Sequence, residues 1–304
     1  AMILQQTVNV AVAFIIPRFI ITAYGSEING LIVSITQFIS YFILVEAGIS
    51  GASIYALYKP LAEKNITSIN GILSASRKFY LKSGYIFIIF TIILALCYPL
   101  LVNSLYLSKF EIIIIVFSIG AGGAVDFFTL SKYRVLLTAD QKSYIISLAN
   151  IISSIIKIVL VIIFSLHKLN IVWLQIFLIF AIFSRSIILY LYTKRNYIYL
   201  DFNSKPDNES IKDRWNVLYL QLLGSAQVSA PIIIATIFTS LYQVSVYSIY
   251  NMVIGGITGI LGIFVSGLAA SFGDVIAKKE QKTLQKSHQE FELFYYIVIT
   301  IVYS

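Results

Sequence analysis

The chain has 304 residues, 59% of them hydrophobic and 12% charged, with a mean hydropathy of +0.87 and a net charge of +8. Soluble domains carry about 25% charged residues, so this balance excludes a sizeable soluble catalytic domain and makes lipid the solvent. The single cysteine, Cys97, has no intrachain partner, and His167 and His288 lie far from other ligand types; no metal, cofactor or redox role is expected.

A spanning helix needs about 20 apolar residues. In chain order the apolar runs are Met2 to Tyr24, Leu31 to Leu57, Tyr80 to Val102, Glu111 to Leu130, Tyr144 to Leu166, Ile171 to Thr193, Val217 to Ser240, Tyr242 to Ala270, and Phe291 to the end. The expectation is an all-α, polytopic integral membrane bundle of eight spans and part of a ninth. Ala1 opens in apolar sequence with neither a basic lead-in nor a cleavage site, and the ninth run stops after half a span, so both ends are expected to be truncated.

Lysine and arginine fix the expected orientation, because cytoplasmic loops retain positive charge. The second, fourth, sixth and eighth connections and their flanks hold 17 of the 22 basic residues, among them Lys59, Arg77, Lys132, Lys142, Arg195 and Lys205; the other side holds Lys109 and Lys168. The even connections and the N-terminus are therefore expected in the cytoplasm. Topology and anionic headgroups account for the basic charge, and no nucleic-acid partner is expected. Trp173, Trp215 and the tyrosines from Tyr190 to Tyr199 fall where interface anchors belong.

The longest polar stretch, Asn203 to Arg214, carries Pro206 and alternating charges, which marks a linker after six spans. The expected organisation is a six-helix N-lobe over 1–194, a cytoplasmic linker over 195–216 and an incomplete C-lobe over 217–304. An offset of 214 residues puts Pro17 on Pro231, Thr22 on Thr236, Ser34 on Ser248 and Gly48 on Gly262; the match is weak, and internal repeats of this kind are usual in secondary transporters.

Ionisable groups inside spans persist only where they face protein or water, since hydrocarbon penalises them by at least about 2.5 kcal/mol. Arg18, Glu46, Asp126, Lys157 and Arg185 fall inside the first six runs. Asn150, Ser153, Ser154 and Lys157 share one helical face, as do Glu46, Ser50 and Ser53, and each such face meets a cavity or another helix. Two readings stay open: the acids pair with the cations inside a packed bundle, or the charges line a substrate path. Three cations against two acids favour an anionic substrate. Tyr247, Asn251, Gly255, Thr258 and Gly262 line one face of the eighth run, and Gly120, Gly122 and Gly123 precede Asp126; tight packing explains both groups, and the latter triplet also suits a softened helix. Pro17 and Pro231 are candidate kinks.

The stretch Pro17-Arg18-Phe-Ile-Ile-Thr-Ala-Tyr-Gly-Ser-Glu27-Ile-Asn29-Gly30, with Val45-Glu46-Ala-Gly48 and Leu57-Tyr58-Lys59-Pro60, resembles the first two spans of Wzx-type polysaccharide flippases of the multidrug and oligosaccharidyl-lipid exporter superfamily. Tyr133-Arg134, Ala139-Asp140-Gln141-Lys142 and Tyr144 resemble that family's connection between spans four and five, and Val244 to Tyr250 with Ala269 to Asp274 its span eight and exit. The resemblance implies a two-lobe, MATE-like exporter fold of twelve to fourteen spans in the intact protein. It implies export of undecaprenyl-pyrophosphate-linked oligosaccharide across the bacterial cytoplasmic membrane by alternating access, for O-antigen or capsule assembly, beside other polysaccharide-assembly membrane proteins. Relatives often carry an acid near the middle of span seven, where this chain has Ser229-Ala230-Pro231.

On this reading Arg18, Lys157 and Arg185 meet the substrate's phosphates, while Asn150, Ser153, Ser154, Ser50, Ser53, Tyr247 and Asn251 line polar cavity faces. Glu46 and Asp126 are the candidate carboxylates for sodium or proton coupling. A multidrug or other lipid exporter of the same superfamily is the nearest alternative. A membrane-embedded glycan polymerase is disfavoured by outer connections of about ten residues or fewer, the length of tight links, so no enzymatic activity is expected.

Overall fold

In the computed structural model the described residues are 2–102, 104–209 and 229–256, with 258, 285, 288–293, 295–297 and 300; within these, the side chains of 2, 3 and 43–49 are not described. Every regular element among them is helical. The chain divides into two compact units, Ala1–Ser248 and Ile249–Ser304; the described residues of the second are helical, and the architecture below is that of the first.

Helix α1 (Met2–Tyr24) turns at Gly25 into α2 (Ser26–Ala62). Gly25 has φ of +90°, a conformation that costs glycine nothing and a side-chain-bearing residue strain. Helix α3 (Ile66–Leu101) starts at Asn65, whose side chain accepts the Ser68 N–H, and α4 (Lys109–Val125) starts in a capping box between Ser108 and Glu111. A π turn over Asp126–Leu130 joins α4 to α5 (Ser131–Ala139), so 109–139 is one continuous rod. Helices α6 (Ser143–Leu166) and α7 (Ile171–Asn196) complete the six, and α8 (Ser229–Phe238) and α9 (241–256) follow. Five of the described helices are long and apolar enough to cross a membrane: α1, α3, the 109–139 rod, α6 and α7. Helix α1 packs mainly on α6, α6 on α7, and α3 on α2 and α4.

The apolar runs undersize three helices, α2 by five residues at each end. Helix α3 begins fourteen residues before Tyr80, and the 109–139 rod continues nine residues past Leu130. At about 1.5 Å per residue, α3 is roughly 54 Å long against a hydrocarbon core of about 30 Å. Its first four turns are amphipathic: Ile69, Ile72, Leu73 and Ala75 are buried in the core, while Asn70, Ser74 and Arg77 carry a polar stripe. A hydropathy reading ends where charge begins; a helix ends where its packing does.

That stripe holds the segment after α7. Asn70 donates to Tyr199 O and accepts from the Asp201 N–H, each at 3.1 Å; Ser74 lies 3.0 Å from Ser204 Oγ; Arg77 donates to Asn203 Oδ1 at 2.6 Å; and the Asp207 N–H reaches Gly71 O at 3.0 Å. Residues 197–209 therefore lie along α3 as a strap. The turns at 63–65 and 140–142 share this end of the bundle with the strap; it is called the basic end here, for Lys64, Lys142 and Lys205. The turns at 25, 104–108 and 167–170 form the opposite end, where Tyr24 donates to Leu169 O at 2.8 Å.

Candidate functional site

Midway along the bundle α4, α6 and α7 meet around one charge cluster. Asp126 opens the π turn: its carbonyl accepts the Ser131 N–H five residues on, and Ser131 Oγ at 2.9 Å. Such single-turn bulges rotate the residues on either side of them and concentrate at functional sites. Arg185 of α7 donates Nη2 to Asp126 Oδ1 and Nη1 to Asn150 Oδ1 of α6, the latter at 3.3 Å. Arg185 Nε is buried with no hydrogen-bond partner among the described residues. Lys157, two turns along α6 from Asn150, lies within electrostatic reach of both Arg185 and Asp126. One turn towards the basic end, Thr129 and Ser186 share a hydrogen bond of 2.7 Å. Among the described residues the cluster thus sets two cations against one carboxylate.

The glycines before Asp126 serve packing. A Cβ on Gly120 would meet Thr91 Cγ2 at 2.3 Å, on Gly122 Ile182 Cδ1 at 2.4 Å and on Gly123 Phe87 Cζ at 2.5 Å. Hydrogen at these three positions lets Thr91 and Phe87 of α3 and Ile182 of α7 lie against α4 in their observed rotamers.

A second constellation lies towards the opposite end, where α2 meets α8 and the start of α9. Thr236 donates to Ser34 Oγ and Asn29 to Ser245 Oγ, each at 2.8 Å and buried. Between them a Cβ on Gly30 would come within 1.9 Å of Leu241 O, so glycine alone permits this approach. Above the contact is a cavity of about 360 Å³ lined by Glu27, Val102, Leu105, Thr239, Ser240 and Tyr242 among others. Glu27 does not face it free: Oε1 accepts from Ser104 Oγ at 2.6 Å and from the Leu105 N–H at 2.9 Å, fastening the α3–α4 turn over α2.

At the basic end Asp140, Lys142 and Tyr197 form a compact triad, with Lys142 Nζ 2.8 Å from Asp140 Oδ2 and 3.1 Å from Tyr197 Oη, which donates to Asp140. The hydrogen bond to Asp140 holds the Lys142 ammonium well above its ordinary pKa, and burial raises that of the Tyr197 phenol.

Of the residues singled out by sequence, Asp126, Arg185, Asn150 and Lys157 come together. Arg18 stands apart on an exposed face of α1, its carbonyl accepting from Thr22 Oγ1 at 2.7 Å. Two of the serines meet neighbouring helices: buried Ser53 accepts from Ser76 of α3 at 2.7 Å, and Ser153 donates to Ala181 O of α7 at 2.6 Å. Ser50 and Ser154 are half-buried, Tyr247 is exposed and Asn251 half-buried on α9. Glu46 lies on α2, but its side chain falls outside the described residues, as do Gly262 and Trp215. Pro17 lies inside an α1 that runs unbroken through it. The sequence reading passes over Asn29, Gly30 and Ser34 as a contact surface and over the Asn70, Ser74 and Arg77 stripe. Helical spacing marks each as a polar face, but nothing in spacing says which segment it meets.

No family model and no curated protein matches the chain by sequence. In fold it is similar to an inward-facing multidrug resistance MATE family transporter of the MOP superfamily, with a TM-score of 0.77 and 16% identity over 96% of this chain and 68% of that one. It is similar also to the MATE multidrug transporter DinF-BH, with a TM-score of 0.69 and 16% identity over 98% of this chain and 68% of that one. The fold is MATE-like.

Proposed function

We propose, taking that MATE-like fold as premise, that this is a multi-pass exporter of the bacterial cytoplasmic membrane that moves an anionic, undecaprenyl-pyrophosphate-linked oligosaccharide by alternating access. The observation that carries the reading is the surplus positive charge midway along the spanning helices among the described residues: Arg185 is matched by Asp126, and Lys157 beside them adds a cation. A cation held in low dielectric without its own carboxylate favours an anionic ligand and disfavours a cationic one. Arg18, exposed on α1, is a further point for phosphate on the same reading.

The lobes are taken as 1–194 and 217–304, joined by 195–216, with the basic end in the cytoplasm as the lysine and arginine distribution requires. The contact of α2 with 236–245 then closes the outer side, as expected of an inward-facing state. Asp126, and Glu46 on α2, are the candidate coupling carboxylates: a sodium ion or proton at Asp126 would replace Arg185 as its partner in the alternate state. Drug export is the second reading, and it is favoured by the likeness to two multidrug transporters.

Complementation separates the two. The protein, expressed at full length in a bacterium lacking its glycan flippase, is expected to restore surface polysaccharide and clear accumulated lipid-linked precursor. Lys157→Glu should abolish that restoration while membrane insertion stays intact. Wild-type export by this variant would sink the role of the cluster, and dye efflux without glycan restoration would establish the drug reading.

A further inference from the structure

A groove one turn from the charge cluster, on its basic-end side, has the chemistry of a lipid-headgroup site. It lies between the π turn with α5 on one wall and α7 on the other, encloses about 270 Å³, and is lined by Phe128, Thr129, Lys132, Tyr133, Phe183, Ser186, Ile187 and Tyr190. The α7 wall repeats at helical spacing, with Phe183, Ile187 and Tyr190 exposed at 44%, 55% and 45%. Its floor is closed by the Thr129–Ser186 hydrogen bond.

The polarity of the groove is graded along its length. At the end nearer the strap, Lys132 sits 4.9 Å from the ring centroids of both Tyr133 and Phe202, and Lys194 lies 5.8 Å from the Tyr190 ring. Arg77 is near enough to Lys132 to repel it, and Arg77 spends its hydrogen bonds on neutral Asn203 and the Phe202 carbonyl. Among the described residues neither Arg77 nor Lys132 is ion-paired with a carboxylate. Two neighbouring cations left without an acid attract an anion, and aromatic faces hold an ammonium in place without neutralising it. Phe128 lies four residues from Lys132 and Phe183 seven from Tyr190, so the apolar walls run about 6 to 10 Å deeper along the helices. Lys132 itself is seven residues from the end of α5, about 10 Å in from the tip of the rod, the depth at which a lysine stem crosses apolar surface while its ammonium reaches the headgroups.

We propose that this groove binds an anionic phospholipid of the leaflet at the basic end, its phosphate on Lys132 with Arg77 and Lys194 flanking, and an acyl chain along Phe128, Phe183 and Ile187. Basic pockets between spanning helices on the cytoplasmic side are the recognised form of such sites. The bound lipid would bridge the π-turn rod and α7, the two elements that carry Asp126 and Arg185, and so stabilise their pairing. The site does not depend on what the protein transports.

The test is native mass spectrometry and thermal unfolding of the purified full-length protein in mild detergent, titrated with phosphatidylglycerol or phosphatidylcholine. Retained phosphatidylglycerol adducts and a rise in Tm with phosphatidylglycerol alone are expected. Lys132→Gln should weaken that retention about tenfold, while a substitution of exposed Lys64 leaves it unchanged. Because Lys132→Gln removes a partly buried cation, Ile187→Trp gives an independent check: it fills the groove from the lipid-facing side and should also lose the adduct. Equal retention of both lipids, retention unaltered in both variants, or the same stabilisation from inorganic pyrophosphate alone would each overturn the proposal.

Discussion

The contact of α2 with 236–245 is buried and that of the π-turn rod with α7 half-buried; both are polar, yet they are built from opposite materials. The first uses two neutral hydrogen bonds, Thr236 to Ser34 and Asn29 to Ser245, around a glycine pressed on a carbonyl. The second uses an ion pair between Asp126 and Arg185, with three glycines just before Asp126 that pack α4 on α3 and α7. A net hydrogen bond is worth about 1 kcal/mol, and hydroxyls and amides left behind by separation find water readily. A buried charge stripped of its partner costs about 3 to 5 kcal/mol. The neutral contact suits surfaces that part and rejoin; the ionic one holds its helices together until another cation takes the place of Arg185 at Asp126.

The strongest way to break this contrast is at the ion pair. Asp126→Ala should leave Arg185 uncompensated and destabilise the protein by about 3 to 5 kcal/mol, read as lost thermal stability and yield in detergent, with much of it recovered in Asp126→Ala/Arg185→Met. Recovery failing in the double variant would show that Asp126 matters chiefly through the π turn. Next in size, Gly30→Leu should hold α2 away from Leu241 without unfolding the bundle. The measurement is thiol labelling of Ser245→Cys, which should speed up several-fold in the Gly30→Leu background; unchanged labelling would mean that the contact adjusts by some other movement. The smallest effect is expected at the basic end. Lys142 and Tyr197 titrate above their ordinary values in the fold, so the unfolded chain loses these protons first as pH rises past about 10. Their contribution is complete below that pH and fades above it, and Asp140→Asn should remove the Lys142 part of the alkaline loss in a pH series of unfolding midpoints.

Much of this architecture is legible in the sequence. Composition and apolar runs establish helices in lipid, and the five mid-span charges mark the positions where charge needs an explanation. The cluster of Asp126, Arg185, Asn150 and Lys157 is found that way, because lipid makes any ionisable residue conspicuous. The same rule is silent about partners. It groups Arg18 with Arg185 and Lys157, although α1 carries Arg18 on an exposed face. It assigns Ser53 and Ser153 to cavity faces, although each bonds to a neighbouring helix. It starts α3 only at Tyr80, because residues 66–79 are too polar for a hydropathy window and stay helical by packing.

The sequence by itself determined that the chain is helical and membrane-embedded, and where it is charged. Those properties depend on residue type and period, which one strand of letters carries in full. Only the tertiary structure decided that Asp126 takes Arg185, that Gly30 meets Leu241 and that 197–209 lies along α3. Each joins residues from 59 to about 210 positions apart, and helical periodicity gives the direction a face points without giving the helix it meets.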